Sequence, residues 1–393
     1  MRKVLKSTTE QGVVRVLNSQ ENIFDVIVIG GGMAGVSVAA ELAPKCKVAL
    51  LEMESQPGYH TTGRSAAIFA PTYGPQPIRA LTRASEAFFL SPPAGFCDHP
   101  LLTPRKIMMI ARADQENALM ALVSESQTEK PVQRLNAAQT RQAQPLLRDG
   151  YADSAMMDDG GFDIDVDALL QGFLRSFRTQ GGTLLSRSPV TTLTRDGEMW
   201  TVRTGDTTYG APIVINAAGA WADQVATLAG AQLIGLVPKR RTVLIVPAPA
   251  DINCDQLPLT ADIDEGFYLK PDAGRLLISP ANEDPSEPCD AQPDEMDIAI
   301  CVDRIETAFD LPIRRIENKW AGLRSFVGDK SPVVGFDGKV DGFFWLAGQG
   351  GYGIQTAPAL SRVAAALVLG QDVPQDVLEQ GLISNTISPS RLT

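Results

Sequence analysis

Histidine is almost missing from this chain: His60 and His99 are the only two in 393 residues. That count nearly excludes a histidine-rich metal centre or a histidine relay. No metal site is expected. The five cysteines, Cys46, Cys97, Cys254, Cys289 and Cys301, are scattered and form no CxxC pair. An odd, dispersed set reads as reduced thiols in a cytoplasmic protein. No run approaches the roughly 18–20 apolar residues of a membrane span, so no integral membrane segment is expected. The opening MRKVLK is basic, but no apolar stretch follows it, so it does not read as a secretory signal. Residues 1–23 read as an arm before the first strand. Positive charge is also scarce, with 35 Lys and Arg against 46 Asp and Glu and a net charge of −11. A nucleic-acid partner and a polybasic membrane patch are both disfavoured. Internal repeats and low-complexity tracts are lacking.

What is present begins at Phe24. Phe24–Ile29 is apolar and β-branched, as a strand buried on both faces must be. Gly30–Gly35 makes a turn, Val36–Leu42 has helical composition, and KVALLE (Lys47–Glu52) reads as a second buried strand. The βαβ unit has the usual length of roughly 30 residues. Gly30, Gly32 and Gly35 satisfy G-x-G-x-x-G. The first allows the tight turn, the second lets backbone approach a pyrophosphate, and the third lets helix and strand pack closely. The helix N-terminus then offers N–H groups and a positive dipole end to phosphate. Glu52, 20 residues beyond Gly32, can accept the ribose hydroxyls. A dinucleotide-binding unit follows from that context, not from the glycines alone.

Two later apolar runs also end in small residues and turn helical: APIVINAAGAW (Ala211–Trp221) and GFFWLAGQGGYGIQTAPAL (Gly342–Leu360). Between them, RRTVLIVPAP and GFYLKPDAGRLLISPA read as short strands with Pro/Gly turns, the mark of an antiparallel sheet. DQENALMALVSESQ and VDALLQGFLRSFRTQGG read as amphipathic helices, the second stopped at Gly181–Gly182. Two interleaved domains therefore fit better than two in series. The glycine turn alone does not distinguish NAD from FAD. A Gly/Thr/Ser loop with Arg64 at Ser55–Ala67 suits a long cofactor's pyrophosphate and ribityl chain. A second helix N-terminus after Gly348–Gly353 would stabilise negative charge on a reduced flavin. Contacts spread over the whole chain favour FAD.

These motifs, VIGGGMAG, QPGYHTTGRSAA, INAAGAW, FYLKPDAG, WAGLRSF and GQGGYGIQTAPAL, together resemble the FAD-dependent D-amino-acid dehydrogenase and oxidase family, and most of all the bacterial D-arginine dehydrogenases. The resemblance runs from Phe24 to the C-terminal SPSRLT. It implies an α/β fold, α+β overall, in which a glutathione-reductase-like Rossmann FAD domain is interleaved with an antiparallel-sheet substrate domain. The FAD domain would comprise 24–90, 150–235 and 330–393, and the substrate domain 91–149 and 236–329. By motif match, Ala34, Glu52 and Met53 would follow the ADP half. Thr61, Thr62, Gly63, Arg64 and Ser65 would follow the pyrophosphate and isoalloxazine. Val190 would meet the adenine through its backbone, and Gly350, Tyr352, Gly353, Ile354 and Gln355 would surround the flavin ring. Covalent relatives attach the flavin through a cysteine near the C-terminal glycines. Here no cysteine follows Cys301, so FAD is expected to be non-covalent.

Oxidising an α-amino acid moves a hydride from Cα to flavin N5, driven by the amine lone pair. It needs positioning more than a side-chain base, so the scarcity of histidine is no obstacle. A carboxylate handle calls for arginine, which donates bidentately. Arg241 and Arg324 are the candidates, with Tyr268 as a phenol donor. Read alone, each arginine fits a surface ion pair and Tyr268 a half-buried core residue. The resemblance places the three around the substrate carboxylate. It puts Tyr73 on a mobile lid and gives the Gly351 carbonyl to the substrate amine. Lys239 and Arg240 read as surface residues. His60 faces the cofactor or braces its loop, and His99 reads as structural. Asp163, Asp165 and Asp167 lack the glycine and distal glutamate of a calcium loop, and Asp167 or a neighbour reads as a helix cap.

The D-arginine dehydrogenases are expected to carry an acid at the match to Ile107, a histidine at Ile68 and a threonine at Ala70. Apolar residues at all three imply a preference for neutral or hydrophobic D-amino acids, with a quinone or other compound as electron acceptor. The alternatives are a glycine/sarcosine-type oxidase using O2 and a non-catalytic FAD electron-relay subunit.

Overall fold

The computed structural model describes residues 22–127 and 132–392. Most of the expected N-terminal arm lies outside them. Where the description begins, Asn22 Nδ2 donates to the Thr208 carbonyl and Ile23 bridges Gly210.

Val26–Ile29 and Val48–Leu51 are buried at every position, so both faces of the sheet are covered. They lie in a six-stranded sheet ordered Val333–Phe336, Phe343–Ala347, Ile213–Asn216, Val26–Ile29, Val48–Leu51, Thr183–Leu185. Every pairing is parallel except that of the edge strand Val333–Phe336. Strands far apart in sequence thus build one nucleotide-binding layer. Helices Met33–Leu42, Val166–Thr179 and Gly353–Val368 share one hydrophobic core against it. On the other face, the three-stranded meander Val190–Asp196, Met199–Thr204, Thr207–Ala211 packs Trp200 and Val202 against Ile27, Val214 and Trp345.

The second layer is a large sheet ordered Asp284–Pro285, Val237–Pro247, Arg275–Ser279, Tyr268–Asp272, Leu259–Asp262, Ile107–Ala111, Ser154–Asp158, Gln133–Asn136, with Asn318–Phe326 also pairing Val237–Pro247. It is antiparallel except where Leu259–Asp262 meets Ile107–Ala111. Its back face packs Leu244, Val246, Leu269 and Ile278 on helix Glu295–Ala308. Its front face, with Val243, Ile245, Leu277 and Tyr268, turns toward the nucleotide layer. This is the two-domain interleaved architecture expected. One boundary needs correction. Ser154–Asp158 falls in the 150–235 range assigned to the FAD domain, yet it pairs with Ile107–Ala111 in the large sheet. Its side chains are buried at all five positions, so the periodicity that would reveal a half-exposed strand is missing.

The acidic run resolves as structure. Asp165 caps helix Val166–Thr179, accepting from the Ala168 N–H at 2.8 Å, and His99 bonds Asp165 at 3.0 Å. Asp163 instead engages Arg105 and Lys270. Among the described residues no group of acids, histidines or cysteines is placed to hold a metal.

Candidate active site

One long cavity runs between the two layers. At its nucleotide end the turn Gly30–Gly32 meets Glu52 and Met53, with Ser188, Pro189 and Val190 opposite. Gly30 has φ +106°, and a β-carbon there would lie 2.4 Å from the Ala217 carbonyl oxygen. A β-carbon on Gly35 would lie 1.9 Å from the Gly30 oxygen. Both glycines are thus demanded by close backbone approach. The buried Glu52 accepts from the Gly31 N–H at 2.7 Å and the Glu54 N–H at 2.8 Å. Glu52 also lines the cavity.

In the middle, Thr62 Oγ1 accepts from the Met33 N–H at 3.0 Å, and Thr61 Oγ1 donates to the Leu323 carbonyl at 2.7 Å. These two threonines tie the loop to both layers. Arg64 departs from expectation. Its guanidinium donates to the Ala291 and Ala321 carbonyls at 2.8 and 3.0 Å and pairs with Asp290. It is committed to the large sheet, not to a pyrophosphate, although its stem lines the cavity. His60 lies at the wall, its Nε2 3.0 Å from Glu54 and its ring 4.7 Å from that of Trp221.

At the far end Arg241, Tyr268 and Arg324 meet Gly348–Gly351. Arg241 is buried; its Nε donates to the Asn282 carbonyl at 2.9 Å, and Glu283 stands 3.5 Å off. Burial, then the Arg324 charge beside it, lowers the Arg241 pKa. Among the described residues nothing hydrogen-bonds or ion-pairs with the Arg324 guanidinium, which rests against Gly351. Burial works against its charge, but Tyr268, Tyr73, Tyr352 and Glu265 raise its pKa overall. Two cations at one end of the cavity, one with no partner, suit an anionic ligand group. Tyr73 packs edge-on to Tyr352 with ring centres 5.3 Å apart. Burial, then Glu265, pushes Tyr352 up to about 12, so both phenols stay protonated.

Several expected site residues stand behind the wall. Tyr352 packs on Phe326 and Tyr73. Gln355 accepts from the Ala70 N–H at 2.9 Å and so braces the loop carrying Tyr73. Gly35 and Gly63 serve backbone packing. Ile68, Ala70 and Ile107 do not line the cavity; Ile107 is buried in the sheet between Asp158 and Leu259. Lys239 and Arg240 are not free surface residues. Lys239 pairs with Glu283 at 2.7 Å and Arg240 with buried Asp297 at 2.8 Å, which fixes the strand bearing Arg241. Sequence reasoning did not single out Trp221, Gln349 and Ser325, although each lies inside a motif it quoted.

The site fits FAD. Ser325 Oγ, Gln349 Nε2 and His60 Nδ1 are buried at or beside the cavity wall with no partner in the chain, as groups reserved for a polar ligand would be. The FAD dependent oxidoreductase (DAO) family model matches residues 25–367, and the chain belongs to that family. It is 24% identical over 370 residues to a glycine oxidase of Bacillus licheniformis, covering 91% of this chain and 96% of that protein. The glycine oxidase structure from Geobacillus kaustophilus superposes with a TM-score of 0.78 at 22% identity, covering 92% and 99% of the two chains. The FAD-bound L-alpha-glycerophosphate oxidase of Mycoplasma pneumoniae gives 0.78 at 18% identity, covering 88% and 95%. The protein is a FAD-dependent oxidoreductase, and FAD is bound non-covalently. None of the five cysteines lines this cavity. Acid or heat precipitation is therefore expected to release all the flavin into the supernatant; yellow colour retained by the washed, denatured pellet would overturn this.

Proposed function

We propose that this protein oxidises the Cα–N bond of neutral D-amino acids to imino acids, which water converts to 2-oxo acids and ammonia. The observation carrying this reading is the Arg241–Arg324 pair, where a guanidinium without a partner faces the cavity beside Gly351 and Tyr268. Arg324 takes the substrate carboxylate bidentately, with Arg241 and the Tyr268 hydroxyl beside it. The Gly351 carbonyl accepts from the amine and turns Cα toward the cofactor. Tyr73, on its loop, covers the substrate and excludes water. Bound FAD supplies the acceptor for the Cα hydrogen and its two electrons. A quinone or another acceptor then reoxidises it.

A second reading, a glycine/sarcosine-type oxidase using O2, is the one that the relatives' names favour. The D-amino-acid motifs of the sequence favour the first. Both use the same carboxylate anchor. Anaerobic flavin bleaching by a panel of D-amino acids, glycine and sarcosine tests them, and oxygen uptake then identifies the acceptor. A flavin that no amino acid bleaches would leave only the electron-relay role. Five free cysteines fit a reducing, cytoplasmic setting. Among the described residues no helix is long and apolar enough to cross a membrane.

A further inference from the structure

Strand Val237–Pro247, which carries Arg241, has a gap along one edge. Arg275–Ser279 pairs with it from Leu244 to Pro247, and Asp284–Pro285 pairs with it at Lys239 and Arg240. Between them residues 280–283 leave the ladder, so Arg241, Thr242 and Val243 have no strand partner on that side. Ala281 makes the departure with a left-handed backbone, φ +51°. Its N–H donates to Ser279 Oγ at 3.1 Å, and Ser279 Oγ donates to the Thr242 carbonyl at 2.7 Å. Asn282 fills the rest of the gap. Its Oδ1 accepts from the Thr242 N–H at 2.9 Å, in place of the missing strand. Its Nδ2 donates to Asp297 and to Asp284, each at 3.0 Å. Asp297 is buried near the start of helix Glu295–Ala308, and the same carboxylate oxygen accepts from Arg240 Nε at 2.8 Å and Thr242 Oγ1 at 2.9 Å.

The Asn282 side chain is therefore clamped at both ends, and its own backbone carbonyl is the group that accepts from Arg241 Nε at 2.9 Å. Glu283, 3.5 Å from Arg241 Nη2, is already engaged by Lys239 at 2.7 Å and Lys330 at 3.2 Å. Nε and Nη2 lie along one edge of a guanidinium, so residues 282 and 283 occupy that edge alone. Among the described residues nothing accepts from Nη1, while Arg241 lines the cavity beside Arg324. An arginine has a long stem with many rotamers, and fixing it at the moment of binding costs affinity. Here the fixing is done beforehand. We propose that Asn282 is a positioning residue: clamped by Thr242 and Asp297, it holds Arg241 edge-on, so that the free donors meet the substrate carboxylate as a second arm beside Arg324. This assignment rests on the amino-acid reading above.

The test is a double-mutant cycle on the holoenzyme, with Asn282→Ala made in the wild type and in Arg241→Ala. Two readouts are taken: KM and kcat for D-leucine, and the Kd of 4-methylpentanoate, a carboxylate without an amine, from the flavin absorbance change. In the wild-type background Asn282→Ala should raise KM and Kd about three- to tenfold, the usual effect of losing one hydrogen bond, and move kcat much less. In the Arg241→Ala background it should add almost nothing, because a residue that acts only through Arg241 has nothing left to position. Asp297→Asn keeps the shape of the clamp and removes its charge; it should show the same non-additivity, and it carries the test if Asn282→Ala does not fold. Equal losses in both backgrounds would make Asn282 a purely structural bridge and overturn the assignment. Unchanged constants in Asn282→Ala, or in Arg241→Ala itself, would also overturn it. A wild-type flavin that no amino acid bleaches would remove the amino-acid reading, and this proposal with it. Bleaching in the wild type with additive losses in the cycle would remove the proposal alone.

Discussion

Arg324→Ala is expected to lower kcat/KM for the amino-acid substrate by a factor of about 30 to several thousand, with FAD affinity close to wild type. The range corresponds to about 2–5 kcal/mol, the cost of removing one partner from a buried, hydrogen-bonded charge pair. Arg324 suits the role because nothing in the described chain competes for its guanidinium, whereas Arg241 is already held by Asn282 and faced by Glu283. Arg324→Lys should recover little, since a point ammonium cannot reproduce the planar fork. Gly351→Ala offers an independent check that leaves the arginine in place. A β-carbon there would sit 2.8 Å from Arg324 Cζ and 2.9 Å from Nε, so the guanidinium must move aside. It should reproduce much of the loss. Steady-state kinetics with flavin titration separates substrate capture from cofactor binding. An unchanged kcat/KM in Arg324→Ala would transfer the anchor to Arg241.

The nucleotide layer could be read from the sequence because its strands are buried on both faces. Val26–Ile29 and Val48–Leu51 are uninterrupted apolar runs, and the glycine turn between them has one structural solution. At the far end of the site, the three residue types picked out from the sequence, Arg241, Tyr268 and Arg324, all line the cavity. Partnership was not readable. Arg64 lies in a loop rich in glycine and threonine that lines the cavity, but its guanidinium binds Ala291 and Ala321, more than 220 residues away. No local pattern encodes such a contact. Gln355 shows the same limit: it follows the glycine-rich segment that lines the cavity, but it serves the Ala70 loop.

Selectivity for the substrate side chain is where the largest difference between substrates is expected: kcat/KM should be clearly higher for D-leucine, D-methionine and D-phenylalanine than for D-arginine. The structure changes the ground for this expectation. Ile107 does not reach the main cavity, but its place in the sheet is informative. Leu259 joins Ile107 to the next strand, where Tyr268 and Lys270 alternate onto the same front face. Lys270 is buried and donates to Asp163 at 2.7 Å, while Arg105 donates to the other oxygen of Asp163 at 2.9 Å. With Asp158, the cross-strand partner of Ile107, two cations and two carboxylates balance on this side of the sheet. The neighbouring Asp158 accepts from Thr72 at 2.8 Å and from the Gly160 N–H at 2.8 Å, so its oxygens are committed too. Asp98 is exposed at the surface. A guanidinium directed toward this region would find every carboxylate oxygen already engaged, a costly burial. An aliphatic side chain meets no such penalty and gains about 25 cal/mol per Å2 of apolar area buried. Ile107→Glu should narrow the difference by adding a carboxylate that no other group engages. Holoenzyme kinetics on the four D-amino acids decides the point, and a preference for D-arginine in the wild type would refute it.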